Sequence, residues 1–168
     1  MLVELLILMA LAVISDFKTY KIKNVFVLPF VAAGLVTNLV LTGTGGLLDS
    51  ALGALVPVIL LFFLYSLRML GAGDIKLFSA IGAVAGLRFG LFTMAYALIS
   101  GGIIALVLIA VRRNGAARLK HLHIYLKSSL LTLSFQPYTS FEDKSDGAKF
   151  HMSAAAAAGV IIALLTGQ

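Results

Sequence analysis

Asp16 and Asp74 stand apart in a chain of 168 residues with only seven acidic side chains. Glu142, Asp143 and Asp146 fall in the one long polar stretch, and Glu4 and Asp49 lie toward the other ends of the apolar runs. Asp16 instead closes the apolar run that begins at Leu2, and Asp74 opens the one that begins at Ile75, directly after Gly71-Ala72-Gly73. Two carboxylates brought close together have a definite chemistry. One, ionised, takes a proton from water while the other, protonated, donates to a carbonyl oxygen or a leaving amine. Like charges in contact resist ionising together, so the two protonation steps separate and belong to the pair. That chemistry is hydrolysis of a peptide bond, and it requires two helices that converge beside water.

The composition says which solvent those helices meet. With 61% hydrophobic and 12% charged residues, and a mean hydropathy of +1.07, the chain lies outside the range of soluble domains and reads as a membrane protein. Its net charge of +6 fits loop lysines and arginines that fix topology. Nucleic-acid binding is not expected, because no basic patch is interleaved with stacking aromatics. The absence of cysteine removes disulfides, thiolate metal sites and cysteine nucleophiles. The first residues, MLVELLILMALAVISDF, have the small-x-small Ala10-Leu11-Ala12 of a signal peptide but carry Glu4 and no basic residue before the apolar run, so they read as a retained span.

A helix needs about 20 apolar residues to cross the hydrocarbon core. The predicted fold is all-α, a single polytopic domain over residues 1–168 with six transmembrane helices at 2–15, 25–42, 47–69, 75–87, 90–111 and 152–166. The run from Ile75 to Val111 is too long for one span and is split at Leu87-Arg88-Phe89-Gly90. With six spans the loops alternate sides, and 12 of the 13 basic residues fall on one face, with Arg88 alone on the other. The positive-inside rule makes the crowded face cytoplasmic and puts both termini outside, in a multi-pass protein of the inner cell membrane. Asp16 and Asp74 then share the cytoplasmic side. The long polar loop, 112–151, is expected to lay part of ARLKHLHIYLKSSLLTL along the inner leaflet and to leave 137–150 as a loop. Small residues, among them Gly82, Gly86, Gly90, Gly101, Gly102 and Ala154 to Ala158, are expected to let helices approach closely.

The aspartates adjoin spans that are themselves short. Leu2 to Ser15 is 14 residues and Ile75 to Leu87 is 13, so each helix covers only about 20 Å at about 1.5 Å per residue. Both carboxylates would lie at or below the membrane surface, where an ionisable group marks a functional site. The plainer reading is that Asp16 starts a polar loop and Asp74 caps a helix; the coincidence of two on one side weighs against it. Gly71 and Gly73 let the backbone turn before Asp74 and leave room for an extended peptide, and irregular backbone at this depth belongs beside a water-filled cavity. Helix ends favour Asp74 as an anion and Asp16 as the protonated partner, so Asp74 is assigned as base and Asp16 as acid.

Gly71-Ala-Gly-Asp74-Ile-Lys-Leu77 resembles the GxGD signature of the type IV prepilin peptidases, and Ser15-Asp-Phe-Lys-Thr-Tyr-Lys-Ile-Lys-Asn24 resembles the segment after their first span that supplies a second aspartate. The resemblance extends over essentially the whole chain. It implies that Asp16 and Asp74 form the catalytic pair of a membrane aspartic peptidase. Such enzymes remove short basic leaders from prepilin-like or preflagellin-like precursors, which carry an apolar helix after the leader, at the cytoplasmic membrane face, in pilus biogenesis. Larger bacterial members carry a cysteine-bearing region that methylates the new N-terminus. This chain resembles the compact form, so cleavage without methylation is expected. Many relatives have a proline near the end of the first motif, where this chain has Ile22-Lys23-Asn24.

Lys76 follows the signature aspartate as in the family; it is a candidate for tuning the pair or meeting substrate, and equally a cytoplasmic anchor. Asn24 is a candidate to cap the second span or to bond near the site. His121, His123 and His151 lack ligand spacing and carboxylate partners, so neither metal nor cofactor is expected. No G-x-S-x-G motif points to a serine protease. Two competing classes remain: a small ion- or proton-coupled transporter or channel in which the aspartates bind the cation, and a non-catalytic assembly subunit packed through its glycines.

Overall fold

The computed structural model describes residues 1–19, 22, 24–67, 70–111 and 152–167. The expectations for the segment 112–151, including its amphipathic stretch and the histidines, lie outside these residues, as do Lys21, Lys23 and Arg68. Five helical runs make up the described chain, and no strand occurs among its residues: α1 (Leu2–Thr19), α2 (Asn24–Ser66), α3 (Ala72–Ala85), α4 (Leu87–Val111) and α5 (Met152–Leu165).

The 43 residues of α2 are interrupted at Gly43, whose φ of 71° and ψ of −152° are non-helical. Contacts on either side show what the interruption does. A Cβ on Gly34 would run into the backbone of Ala83 and Val84, and a Cβ on Gly53 would run into that of Gly82 and Gly86. In an unbroken helix residues 34 and 53 would stand about 28 Å apart, yet both meet the same end of α3. The chain therefore reverses at Gly43, and the two arms of α2 correspond to the expected spans 25–42 and 47–69. A positive φ without Cβ strain is why glycine occupies this point.

A second reversal separates α3 from α4. Sequence reasoning puts it at the charge and glycine of Leu87 to Gly90; it occurs at Gly86, whose φ is 89°, and α4 resumes at Leu87. The cause lies elsewhere in the chain. Asp49, from the second arm of α2, presents one carboxylate oxygen where a Gly86 Cβ would stand and accepts the Leu87 N–H with the other at 3.4 Å. A first-turn donor of α4 is thereby satisfied from α2, at a point local spacing does not mark.

Helix α3 lies at the centre. Leu77, Phe78, Ala80, Ile81, Ala83 and Val84 are all fully buried, enclosed by α1, both arms of α2, α4 and α5. The outward faces are apolar instead: Val36, Leu41, Ile59 and Phe62 of α2 and Ile103 and Leu106 of α4 are exposed. An apolar outer surface of this extent suits lipid, not water. Val27–Ser66 and Leu87–Val107 are long and apolar enough to cross a membrane.

Close packing comes from small residues. Gly53 and Gly82 meet backbone to backbone, Gly90 meets Gly82, and Gly159 of α5 sits against the Thr93 carbonyl and Ala97 of α4. Ser100 ties the same seam by donating to the carbonyls of Ala97 and Ala155 at 3.1 and 3.3 Å. Gly102, by contrast, has open space around it.

Because α3 has only 14 residues, its last carbonyls end inside the protein and need partners. Asn38 supplies its side-chain amide to the carbonyls of Gly34, Ala83 and Val84 at 2.9, 3.1 and 3.2 Å, and the Ser50 hydroxyl donates to Ala83 from the other arm at 2.5 Å. Replacing Asn38 by leucine keeps the bulk and removes the donor. Asn38→Leu is expected to cost about 1–2 kcal/mol, read as a lower melting temperature in detergent, whereas Leu41→Ala on the exposed face changes it little.

Candidate active site

Asp16 lies within the last turn of α1, which runs past it to Thr19 and is closed there by the Thr19 hydroxyl donating to the Ser15 carbonyl at 2.8 Å. The aspartate is 8% exposed, a buried carboxylate at a helix end. Its Oδ2 accepts two hydrogen bonds from one residue, the Ser153 hydroxyl at 2.6 Å and the Ser153 N–H at 3.3 Å. Ser153 is the second residue of α5, and its N–H is among the first-turn donors that a helix leaves without an internal partner.

Asp74 lies in the first turn of α3. Gly71 takes the position before that helix in extended backbone, φ −79° and ψ 148°, and its carbonyl accepts the N–H groups of Asp74 at 3.1 Å and Ile75 at 3.4 Å. Asp74 Oδ2 reaches back to the Gly71 N–H at 3.1 Å, the reverse half of a capping box. Asp74 thus does cap its own helix, as the plainer reading holds. The structure also brings it to Asp16: the two side chains are near enough for each charge to act on the other, through the contact of α1 with α3.

The two stretches around the aspartates touch as well. Ile22 is buried, and a Cβ on Gly73 would stand 3.2 Å from the Ile22 Cβ and 3.5 Å from its backbone. The backbone that comes against Gly73 is therefore this chain's own Ile22. Gly71 is exposed, and a Cβ there would stand 3.0 Å from Asp74 Oδ2. Lys76 is half-buried two residues beyond Asp74, and Asn24 is the first residue of α2. Among the described residues no three His, Asp or Glu side chains gather as a metal site.

Sequence reasoning missed Ser153. It is the one polar side chain in Met152–Leu165, and a lone hydroxyl at the start of an alanine-rich apolar helix is the signal that would have found it. The omission bears on the pair's electrostatics, because judging Asp16 by the end of its own helix alone ignores the positive end of α5 beside it.

A bundle of apolar helices that buries one carboxylate and sets a second, half-buried one within reach of its charge beside a Gly-Ala-Gly turn has the make-up of a hydrolase. The type IV leader peptidase family matches residues 3–106, well over half of the chain and inclusive of both aspartates. The chain belongs to that family and is a peptidase of its kind. No curated protein and no solved structure matches it.

The glycines offer a graded test. At Gly71 an added methyl meets a carboxylate oxygen, the free end of the Asp74 side chain, which must shift; at Gly73 it meets the Ile22 Cβ at 3.2 Å, an atom fixed to the backbone, so the chain itself must give. Gly71→Ala is expected to lower peptidase turnover by roughly tenfold or more with a melting temperature near the parent's, since small misplacements of reacting groups are costly, whereas Gly73→Ala is expected to lower the melting temperature, and turnover by less than about tenfold. Turnover of purified protein on a leader-bearing precursor checks the order.

Proposed function

We propose that the protein is a membrane aspartic endopeptidase that removes a short basic leader from prepilin-like precursors at the cytoplasmic face, with Asp16 and Asp74 as its catalytic pair. One observation carries this reading: residues 58 positions apart in a chain of the leader peptidase family place two interacting carboxylates at the meeting point of α1 and α3. A capping role accounts for Asp74 alone and leaves its closeness to Asp16 without a use; a pair of carboxylates that share the acid and base work of water activation gives it one.

The pair divides the labour of hydrolysis. One carboxylate, ionised, takes a proton from water as its oxygen bonds to the scissile carbonyl carbon. The other, protonated, gives its proton to the carbonyl oxygen. Collapse of the tetrahedral intermediate breaks the C–N bond as the first proton passes to the departing amine, and the second carboxyl recovers its own. No metal or cofactor enters the scheme. Because a helix hides its peptide bonds, the precursor must unwind where leader meets apolar helix, and the exposed Gly71 turn is the approach we assign to that strand.

The topology proposed with this activity has six crossings, the two arms of α2 counting separately, with both termini outside. The concentration of basic residues on the aspartate side supports that orientation. The 168 residues contain no cysteine, and methylation of the new N-terminus stands outside the proposal.

Asp16→Asn and Asp74→Asn are each expected to lower cleavage by at least about 100-fold while inserting into membranes and melting as the parent does. Co-expression with a precursor carrying a glycine before its apolar segment, followed by N-terminal sequencing, reads the result. Cleavage by either variant at near-parent rate would remove the pair. Ion flux in vesicles without any cleaved precursor would favour the transporter class instead.

A further inference from the structure

The donor that reaches Asp16 comes from the far end of the chain, 137 residues away. Its hydroxyl stands 2.6 Å from Oδ2, within the range of about 2.5–2.7 Å for bonds made to a charged carboxylate. The Ser153 N–H adds a second bond to the same oxygen, and Ser153 is itself fully buried. Asp74 receives one backbone N–H, from Gly71, at the longer distance of 3.1 Å. Two interacting carboxylates, one buried and one half-buried, do not both hold a charge readily, and the one better supplied with donors keeps it.

We propose that Ser153 is a positioning residue of the peptidase: it orients Asp16 and holds it as the ionised, water-activating member, so that Asp74 carries the shared proton and delivers it to the substrate carbonyl. This reverses the assignment drawn from helix ends, and it rests on the two-aspartate reading above. In the hydrolytic scheme Asp16 is then the group that takes the proton from water and passes it to the amine. Asp74 gives its proton to the carbonyl oxygen and regains it when the carbonyl of the new carboxylic acid re-forms.

Among the described residues, the elements packed around Asp16 carry these titratable or charged groups. Asp74 of α3 feels the Asp16 charge. In addition, α3 carries Lys76, α1 itself carries Lys18, the arm of α2 ending at Ser66 carries Tyr65, and Met152–Leu165 of α5 contains no titratable residue. Removing the Ser153 hydroxyl therefore changes the support of Asp16 without deleting another charge.

The test measures kcat and KM against pH for the full chain in detergent micelles, with Ser153→Ala beside the parent. The expected result is a fall in kcat of roughly tenfold at neutral pH, the worth of one hydrogen bond to a charged group, with KM within about twofold. The acid limb of the kcat profile should move to higher pH, so that the deficit shrinks as pH rises. Ser153→Gly keeps the backbone donor and lacks the hydroxyl; it should give the same profile and carries the test if the alanine variant does not fold. An unchanged kcat, or a deficit equal at every pH, would overturn the role of Ser153. If Asp16→Asn and Asp74→Asn cleave normally, the pair itself fails; if they are inactive while Ser153→Ala matches the parent, only the positioning role fails.

Discussion

A backbone amide or carbonyl that ends away from water has to find a partner, and in this protein that requirement falls most heavily on α3. The helix has 14 residues, is buried from Leu77 to Val84 at nearly every position, and stops at its C-terminal end among other helices, while its first turn opens at the exposed Gly71. Its last carbonyls are taken by Asn38 and Ser50, one from each arm of α2. Its first turn is closed by Gly71 and by Asp74 folding back onto the Gly71 N–H. The residue that completes the helix start is thus the same one that meets Asp16. Shortness, which looks like a defect in a membrane helix, is what sets an acidic side chain among apolar neighbours.

The same economy of partners recurs at the other helix ends. Asp49 closes the start of α4, and Ser153 at the start of α5 gives its donors to Asp16. Each junction joins elements distant in sequence, so the bundle is fastened by polar contacts at its ends and by glycine and alanine contacts along its length. Bulky aliphatic side chains mostly point outward. The interior combines large side chains of α3 such as Phe78 and Ile81 with places where backbone approaches backbone, as where Gly53 meets Gly82.

Much of this was legible from residue types. Apolar run lengths locate the helical segments to within a few residues, and the two acids at the ends of short runs mark the meeting point of α1 and α3. The GAGD turn and the segment after α1 carry the family likeness, which the match over residues 3–106 bears out. What escaped has a common cause. The turn at Gly86, expected nearer Gly90, depends on Asp49 reaching it from α2, and Ser153 matters only because α5 packs where Asp16 lies. Periodicity and local turn chemistry report on neighbours in sequence; these contacts are made between residues tens of positions apart, and a lone serine before five alanines carries no local mark of its partner.

The bond between Asp16 and Ser153 also has a temporal side. Translation delivers α1 first and α5 after every other described helix, with residues 20–151 in between. Until α5 has packed beside α1, a nascent chain holds both acids yet lacks the hydroxyl that meets one of them. The centre is complete only once α5 has emerged, and the helix that follows the other four described helices in the chain closes it.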